Sequence, residues 1–436
     1  MTHAPHILIV GGGLAGLHAG RRLLRRLHRG EAQLTVVDSS SHLTYQPLLA
    51  EAAAGNIEPR HTVVPLRKSL PGATVLRGRV TSIDHSRRYA QVAVGEGATV
   101  DLSYDILVLA AGSISRVLPI DGLAEHGIGF KTIGEAIHLR NHVLSRLDAA
   151  AVLRDPDARR RALTFVFVGG GYAGVEAIAE LQDMARSASA SVPGLGVDEL
   201  RWVLVEASDR ILPEVGLPMG RYTVEILTGR GIEVRLGTRL LSATDGRITL
   251  SDGSEFAADT LVWTAGVTAN PLLRSTDLPL DHQGRVQVDA SLAVTAVPDA
   301  WALGDCAAVP DLTAAEPALC APSAQHAVRQ ARVLADNVIA TLRHQPLHDY
   351  RHAAAGSVAS LGLYRGVAEV YGIRLRGFPA WFTHRTYHLA KLPTLNRKLR
   401  VLIDWTLGLL FRREVVSLDA LENPRDAFTT ASRRAA

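Results

Sequence analysis

The sequence predicts an α/β fold with two Rossmann-like dinucleotide-binding domains and a smaller C-terminal region. Three observations carry the prediction. The stretch "HILIVGGGLAGLHAGRRLL", His6 to Leu24, sets a strand-like run, a glycine turn and a helical run in succession. The stretch "FVFVGGGYAGVEAIAEL", Phe165 to Leu181, does so again. A β-type run ending in an acid follows each turn, "AQLTVVD" to Asp38 and "LRWVLVE" to Glu206. Each half also has a later buried strand that ends in Ala-Gly, "YDILVLAAG" and "DTLVWTAGV". Strand, helix and strand within about 30 residues is the βαβ unit of a parallel sheet. The chain therefore reads as an internal duplication of architecture.

The elements follow in order. Ile7 to Val10 is the first strand, and Gly11, Gly12, Gly13 and Gly16 turn the chain into a helix lasting to about His28. Gly134 to Leu153 is helical, and "RDPDARRR", Arg154 to Arg161, reads as a charged linker. The second glycine turn opens a helix from Gly174 to about Ala188. Ser187 to Glu199 then reads as an exposed excursion before the next strand. "DAWALGDCAAV" adds a strand ending at Gly304 and Asp305, and "APSAQHAVRQARVLADNVIATL" is a helix with Pro322 and Ser323 at its start. From Tyr350 aromatic and basic residues concentrate. The expected domains are 1–121 with 285–345, then 122–284, then a C-terminal membrane-surface or dimer region over 346–436.

Composition bounds the function classes. The chain has 436 residues, 47% of them hydrophobic, which suits two or three domains with a sizeable core and argues against disorder. A net charge of +4 is mild, and with no reader motif no nucleic-acid partner is expected. Cys306 and Cys320 form no metal spacing and no disulfide framework, which suits a reducing compartment. No signal peptide is expected, and no metal site. The longest apolar run, Leu399 to Phe411, is 13 residues long and carries Asp404, so no membrane-spanning helix is expected either.

The glycine turns point to cofactors. Gly11, Gly13 and Gly16 let backbone N–H groups approach a pyrophosphate at a helix N-terminus. Asp38, 22 residues after Gly16, can accept from ribose hydroxyls. Gly169, Gly171 and Gly174 repeat this context, with Glu206 as the ribose acid. The charge on Glu206 repels a 2′-phosphate and favours NADH, while nearby Arg210 acts in the opposite sense. Two such sites in one chain imply a resident FAD and a visiting NADH, with hydride passing between them. Asp305, in "WALGDCA", can bond flavin ribityl hydroxyls. The helix beginning near Ser323 would aim its positive end at the flavin pyrimidine edge.

The ordered set "IVGGGLAGL", "HLTYQPLLAEAAAGNIEP", "VFVGGGYAGVE", "VEASDRILPE", "VWTAGVTANPLL", "ALGDCAAV" and "APSAQHAVRQA" resembles the type II NADH dehydrogenases. These are single-chain FAD enzymes that pass electrons from NADH to membrane quinone without pumping protons. The resemblance runs from about His6 to Asn337. It implies an FAD set of Gly11, Gly13, Leu14, Ala15, Gly16, Asp38, Gln46, Ala111, Gly112, Gly304, Asp305, Ala324 and Gln325. It implies an NADH set of Gly169, Gly171, Tyr172, Ala173, Gly174, Glu176, Glu206, Ala265 and Gly266. Glu176 would lie where nicotinamide meets flavin, and Glu176 and Gln325 are the implied catalytic residues. Gln325, Arg329 and Gln330 would face the acceptor. The family pattern there reads Ala-Gln-x-Ala-x-Gln-Gln, and Arg329 replaces the first of the final glutamines. In its own right, Glu176 in the first helical turn also favours the helix dipole.

Arg374 to Arg413 carries nine basic residues, opposed by Asp404 alone and interleaved with Trp381, Phe382, Tyr387, Trp405 and Phe411. Basic residues with Trp and Leu suit an interfacial helix on an anionic membrane. The expected location is therefore peripheral, on the cytoplasmic face of the cell membrane, with a homodimer as the competing use of the surface. His344, His348 and His352 are read as surface loop, and His384 and His388 as packing on one helix face. Three other functions compete: a sulfide:quinone or disulfide oxidoreductase, which needs a redox cysteine pair; NADH oxidation with a soluble acceptor (an iron–sulfur protein, a small molecule or oxygen); and a flavin-based NADH sensor.

Overall fold

The computed structural model describes residues 4–95, 97–352, 356–411, 413–417, 425 and 428–430. The chain divides into two compact units. One holds Met1–Tyr45, Val63–Ile114 and Val267–Ala354, and the other Gln46–Thr62, Ser115–Gly266 and Ala355–Ala436. The boundaries expected near 121 and 284 fall at 114 and 266. The C-terminal elements share a unit with the second glycine turn.

In the first unit five strands form one parallel sheet in the order Ala300–Ala302, Ile106–Leu109, His6–Val10, Gln33–Asp38, Thr74–Arg77. Runs such as Ile7 to Val10 and Ile106 to Leu109 are apolar throughout and buried throughout, because both faces of a parallel sheet are covered. The helices Leu14–Arg26 and Ala324–Leu342 pack together, joined at Arg22 and Asp336, 2.7 Å apart. Ser323 caps the latter by accepting from His326 N–H at 3.1 Å. An antiparallel meander, Arg79–Asp84, Tyr89–Val94 and Ala98–Ser103, belongs to the same unit.

In the second unit the parallel sheet runs Gly127–Gly129, Thr260–Trp263, Thr164–Val168, Arg201–Val205, Ile232–Arg235. In both sheets the strand before the glycine turn is central, flanked by the acid-ending strand and the Ala-Gly strand. Phe165 and Trp202 stack at 4.4 Å between ring centres, both fully buried, and anchor the core. The expected helix after Thr132 forms as Ile133–Val152, opened by a capping box between Thr132 and Glu135.

Two local expectations fail. The charged linker Arg154 to Arg161 is mostly a helix, Pro156–Ala162. Asp155 caps it and Pro156 starts it, and the Asp-Pro pair carries that signal. The excursion after Ser187 is not simply exposed: the helix Tyr172–Ser189 continues into it, and Ala188, Ser189 and Leu195 are buried.

The C-terminal part of this unit is a meander, Gly356–Ser360, Gly366–Val370 and Ile373–Arg376, then the helices Phe378–Lys391 and Leu395–Leu410. Among the described residues no helix is long and apolar enough to cross a membrane. Several residues read as lipid-facing turn inward instead. Trp381, Trp405 and Arg385 are buried, and Arg413 lies against Glu180 with its side chain 9% exposed. Asp404 does not oppose the basic residues as a surface charge: it accepts from Glu58 N–H and pairs with His61 Nδ1 at 2.6 Å. Arg412 lies outside the described residues. What remains exposed is both basic, with Arg374, Arg376, Lys391 and Arg400, and apolar, including Phe378, Phe382, Leu399, Ile403, Leu407 and Phe411. After the last helix, Arg413 donates to Glu180 O, and Arg140 Nη2 donates to the carbonyls of Glu414 and Val416.

Candidate active site

The first glycine turn is built by exclusion. A Cβ on Gly16 would lie 1.8 Å from Gly11 O, so only glycine lets the helix Leu14–Arg26 approach the strand His6–Val10 this closely. Gly11 itself has φ +105°. A Cβ on Gly13 would meet nothing within 4 Å, and no side chain caps the helix there. Backbone N–H donors at Leu14, Ala15 and Gly16 thus border open space, the form a pyrophosphate requires. Asp38 Oδ2 accepts from Gly12 N–H at 2.7 Å and Oδ1 from Ser40 N–H at 2.7 Å. Each oxygen keeps a second lone-pair direction for a ribose hydroxyl. Asp305 accepts from Ser113 Oγ at 2.7 Å. Gly112 has open space at its Cβ position, and Ala111 O is held by Asn270 Nδ2 at 3.0 Å. Ser113 and Asn270 escaped the sequence reading. The "TAN" after the second Ala-Gly strand was the signal for Asn270, while Ser113 directly follows Gly112 of the first. These residues fit an FAD: an unblocked helix N-terminus, a ribose acid and a second acid at a strand end.

The second turn repeats the device. A Cβ on Gly174 would lie 2.0 Å from Gly169 O and 2.6 Å from Thr264 Oγ1, while one on Gly171 would meet nothing. Glu206 Oε2 accepts from Gly170 N–H at 2.6 Å, and Oε1 from Ser208 N–H and Oγ at 2.7 Å. Arg210 donates to Pro213 O at 3.2 Å, so its charge is directed elsewhere than Glu206. Gly266 is exposed with open space beside it and Ala265 half-buried, ending their strand as Gly112 and Ala111 end theirs. Ala173 is exposed. Tyr172 is half-buried, and burial holds its phenol well above the usual range.

Glu176, two residues past Gly174, is 8% exposed and points into its own unit. Its Oε1 accepts from Ser360 N–H at 2.9 Å and lies 3.1 Å from His384 Nε2. Glu180, one turn on, accepts from Asn56 Nδ2 and Ser360 Oγ, each at 2.9 Å. Burial above all pushes Glu180 up from the usual carboxylate range; Arg413 opposes the shift, while Glu51 and Asp183 add to it. Glu51, 2% exposed, accepts from Arg385 Nη2 at 2.8 Å and Trp405 Nε1 at 2.7 Å. None of this buried acid cluster except Glu176 was read from the sequence.

The residues expected at the acceptor part company. Arg329 Nη1 donates to Gln325 Oε1 and O, both at 3.3 Å, so these two share a helix face, with Ala324 exposed beside them. Gln330 does not join them. It is 1% exposed, and its Oε1 accepts from Gly304 N–H at 2.8 Å, tying the helix to the Asp305 turn. Five residues of helix rotate a side chain by about 140° from its starting face. Gln330→Leu leaves that N–H without an acceptor, and is expected to cost about 1–3 kcal/mol, read as a lowered thermal midpoint. An unchanged midpoint would show that the clamp does not matter. Gln46 is exposed and donates to Lys131 O at 3.1 Å.

The Pyridine nucleotide-disulphide oxidoreductase family profile matches residues 5–331. The type II NADH:quinone oxidoreductase Ndh of Mycobacterium tuberculosis is 30% identical over 424 residues, covering 93% of this chain and 88% of the relative. The chain belongs to this family, among the type II NADH:quinone oxidoreductases. The demethylphylloquinone reductase NdbB of Synechocystis is 29% identical, over 93% of this chain and 96% of its own. Plasmodium falciparum NDH2, solved in complex with NADH, superposes with a TM-score of 0.87 at 18% identity, covering 95% of this chain and 100% of that one. At that identity the likeness is one of fold.

The family's name includes disulfide chemistry, and this chain's cysteines argue against it. Cys306 and Cys320 are both free and buried, and burial pushes each thiol up to about 11, far from a reactive thiolate. The three histidines of the 344–352 loop divide: His344 and His348 are exposed, while His352 packs edge-on to His326 at 5.9 Å. His384 and His388 are buried with rings 4.5 Å apart. Among the described residues no group of His, Cys, Asp or Glu could hold a metal ion.

Proposed function

We propose that the chain oxidises NADH and reduces a membrane quinone through a resident FAD, without proton pumping. One observation carries the reading: the glycine turn occurs twice, with Gly16 jammed on Gly11 and Gly174 on Gly169, and with Asp38 on the N–H of Gly12 and Glu206 on that of Gly170. Bound FAD would accept the hydride of NADH and return two electrons to the acceptor. The residues around the two turns have separate tasks. Leu14, Ala15 and Gly16 offer N–H groups to the FAD pyrophosphate, Asp38 its ribose contact, and Asp305 a ribityl contact. Tyr172, Ala173 and Gly174 offer theirs to NADH. Glu206 bonds the ribose and repels a 2′-phosphate, and the direction of Arg210 toward Pro213 O supports that selectivity. Glu176 orients the nicotinamide amide or relays a proton. Gln325 and Arg329 face the quinone, where the cation favours a developing negative charge on quinone oxygen.

The enzyme works as a peripheral protein on the cytoplasmic face of the membrane. The exposed apolar residues of the last two helices support this, since large apolar patches mark interaction surfaces. A second copy of the chain is the competing occupant of that face. One experiment tests the activity. The purified flavoprotein is reduced anaerobically with NADH or NADPH, then reoxidised with menaquinone and ubiquinone analogues. Reduction by NADH at least about tenfold faster than by NADPH, a difference of about 1.4 kcal/mol, is expected, with reoxidation by a quinone. Reoxidation by oxygen or a soluble iron–sulfur protein alone would favour a soluble acceptor.

A further inference from the structure

Three carboxylates are buried together in the second unit, Glu51, Glu176 and Glu180, and they do not have equal partners. Arg385 pairs with Glu51 at 2.8 Å and Arg413 with Glu180 at 3.5 Å. Glu176 has the N–H of Ser360 and, 3.1 Å from the same oxygen, His384 Nε2. With two guanidiniums and three ionised carboxylates, a proton on His384 makes the cluster neutral. A buried net charge is far more costly than a buried neutral set.

We propose that His384 is a positioning residue for Glu176: its buried imidazole pairs with the carboxylate and holds it fixed against the strand Gly356–Ser360. Apart from this ion pair, neither ring nitrogen of His384 has a hydrogen-bond partner among the described residues. The neighbouring ring of His388 is held neutral, pushed well down by burial and then by the charge on His384. Burial works against charging His384 as well. There Glu176, Glu51 and Glu180 outweigh it, and the group moves up from its ordinary value. The other charged groups nearby are accounted for: Asp183 is paired with Arg230 at 2.7 Å, and Arg385 and Arg413 serve the other two glutamates.

The sign of the pH dependence follows. A raised histidine keeps its charge below its folded pKa and loses it as pH rises past that point, above about 6.5. Once His384 is neutral, the cluster carries an excess negative charge, and Glu176 loses the cation that holds it in place. The effect on catalysis rests on the reading of Glu176 at the nicotinamide; the ionic pairing itself does not.

The test uses flavin-loaded enzyme and two readouts. Infrared spectra of wild type, His384→Gln and His384→Gln/Glu176→Gln are compared at neutral pH. His384→Gln should gain a protonated-carboxyl band that the double variant lacks, and His384→Lys, which restores a cation, should lack it too. In stopped flow, His384→Gln should slow flavin reduction by NADH about tenfold and flatten its pH profile. If the band appears but the rate is unchanged, the pairing stands and the catalytic reading of Glu176 fails. If no band appears, His384 is a packing residue whatever the rate does, and the inference is overturned. Should His384→Gln lose flavin, an imidazolium band present in wild type at neutral pH must fade as the pH rises, and Glu176→Gln must move that loss to lower pH. Absence of that alkaline loss would overturn the inference equally.

Discussion

Gly16→Ala is expected to purify with little or no flavin, while Gly174→Ala keeps its flavin and binds NADH poorly. The added Cβ at position 16 meets a backbone carbonyl oxygen at 1.8 Å, and that carbonyl cannot retreat. Gly11 is itself held against Ala110 O, where a Cβ would lie at 2.3 Å. The helix must therefore move off the strand, which opens the turn that cradles the pyrophosphate. Position 174 repeats the clash at 2.0 Å, with Thr264 Oγ1 as a second obstacle. Each change should weaken its own cofactor by at least about 1.4 kcal/mol, or tenfold in Kd. The flavin-to-protein absorbance ratio reads the first, and NADH concentration dependence in stopped flow the second. Gly13→Ala is the control. Its Cβ meets no protein atom, so lost flavin there reports the cofactor's own close approach. Flavin loss in Gly174→Ala with retention in Gly16→Ala would reverse the assignment of the two turns.

Arg385→Met is expected to destabilise the second unit by about 3–5 kcal/mol, among the larger effects of any single substitution outside the cofactor turns. Glu51 is almost fully buried and would keep only Trp405 Nε1 as a partner. The guanidinium also lies over the rings of Trp381 and Trp405, 4.2 and 4.8 Å from their centres, so its loss removes packing as well. Methionine restores part of that packing, which isolates the unpaired charge. Adding Glu51→Gln to Arg385→Met should therefore recover most of the loss. Urea unfolding followed by tryptophan fluorescence suits the measurement, because Trp202, Trp263, Trp381 and Trp405 all belong to this unit. A cost below about 1 kcal/mol for the single variant would mean that Glu51 is not held there as a charge.

The contrast between these two cases explains what the sequence could disclose. The glycine turns were legible because their tightest clashes, Gly16 on Gly11 O and Gly174 on Gly169 O, are made within one strand–helix unit. Asp38 and Glu206 were legible because a strand end places them a fixed distance beyond the turn. The acid cluster was not legible. Glu51 meets Arg385 across 334 positions, and Glu176 meets Ser360 across 184. Nothing local marks such pairs, so Arg385 and Arg413 read as lipid-facing charge when they are counter-charges in the interior. Gln330 shows a different failure. The motif contained its letter, but helical periodicity separates it from Gln325, and Arg329 rather than Gln330 shares that face.

The tail after the last helix has a consequence for anyone wishing to trim this enzyme. Shortening the chain at Phe411 to remove a greasy end would extract the counter-ion of Glu180 and strip Arg140 of both its tail carbonyls. One stop codon would take a buried acid's counter-ion and a buried base's carbonyl acceptors together. The residues 413–417 behave as a fastening for the interior, and a shortened version meant for easier handling should end beyond Val416.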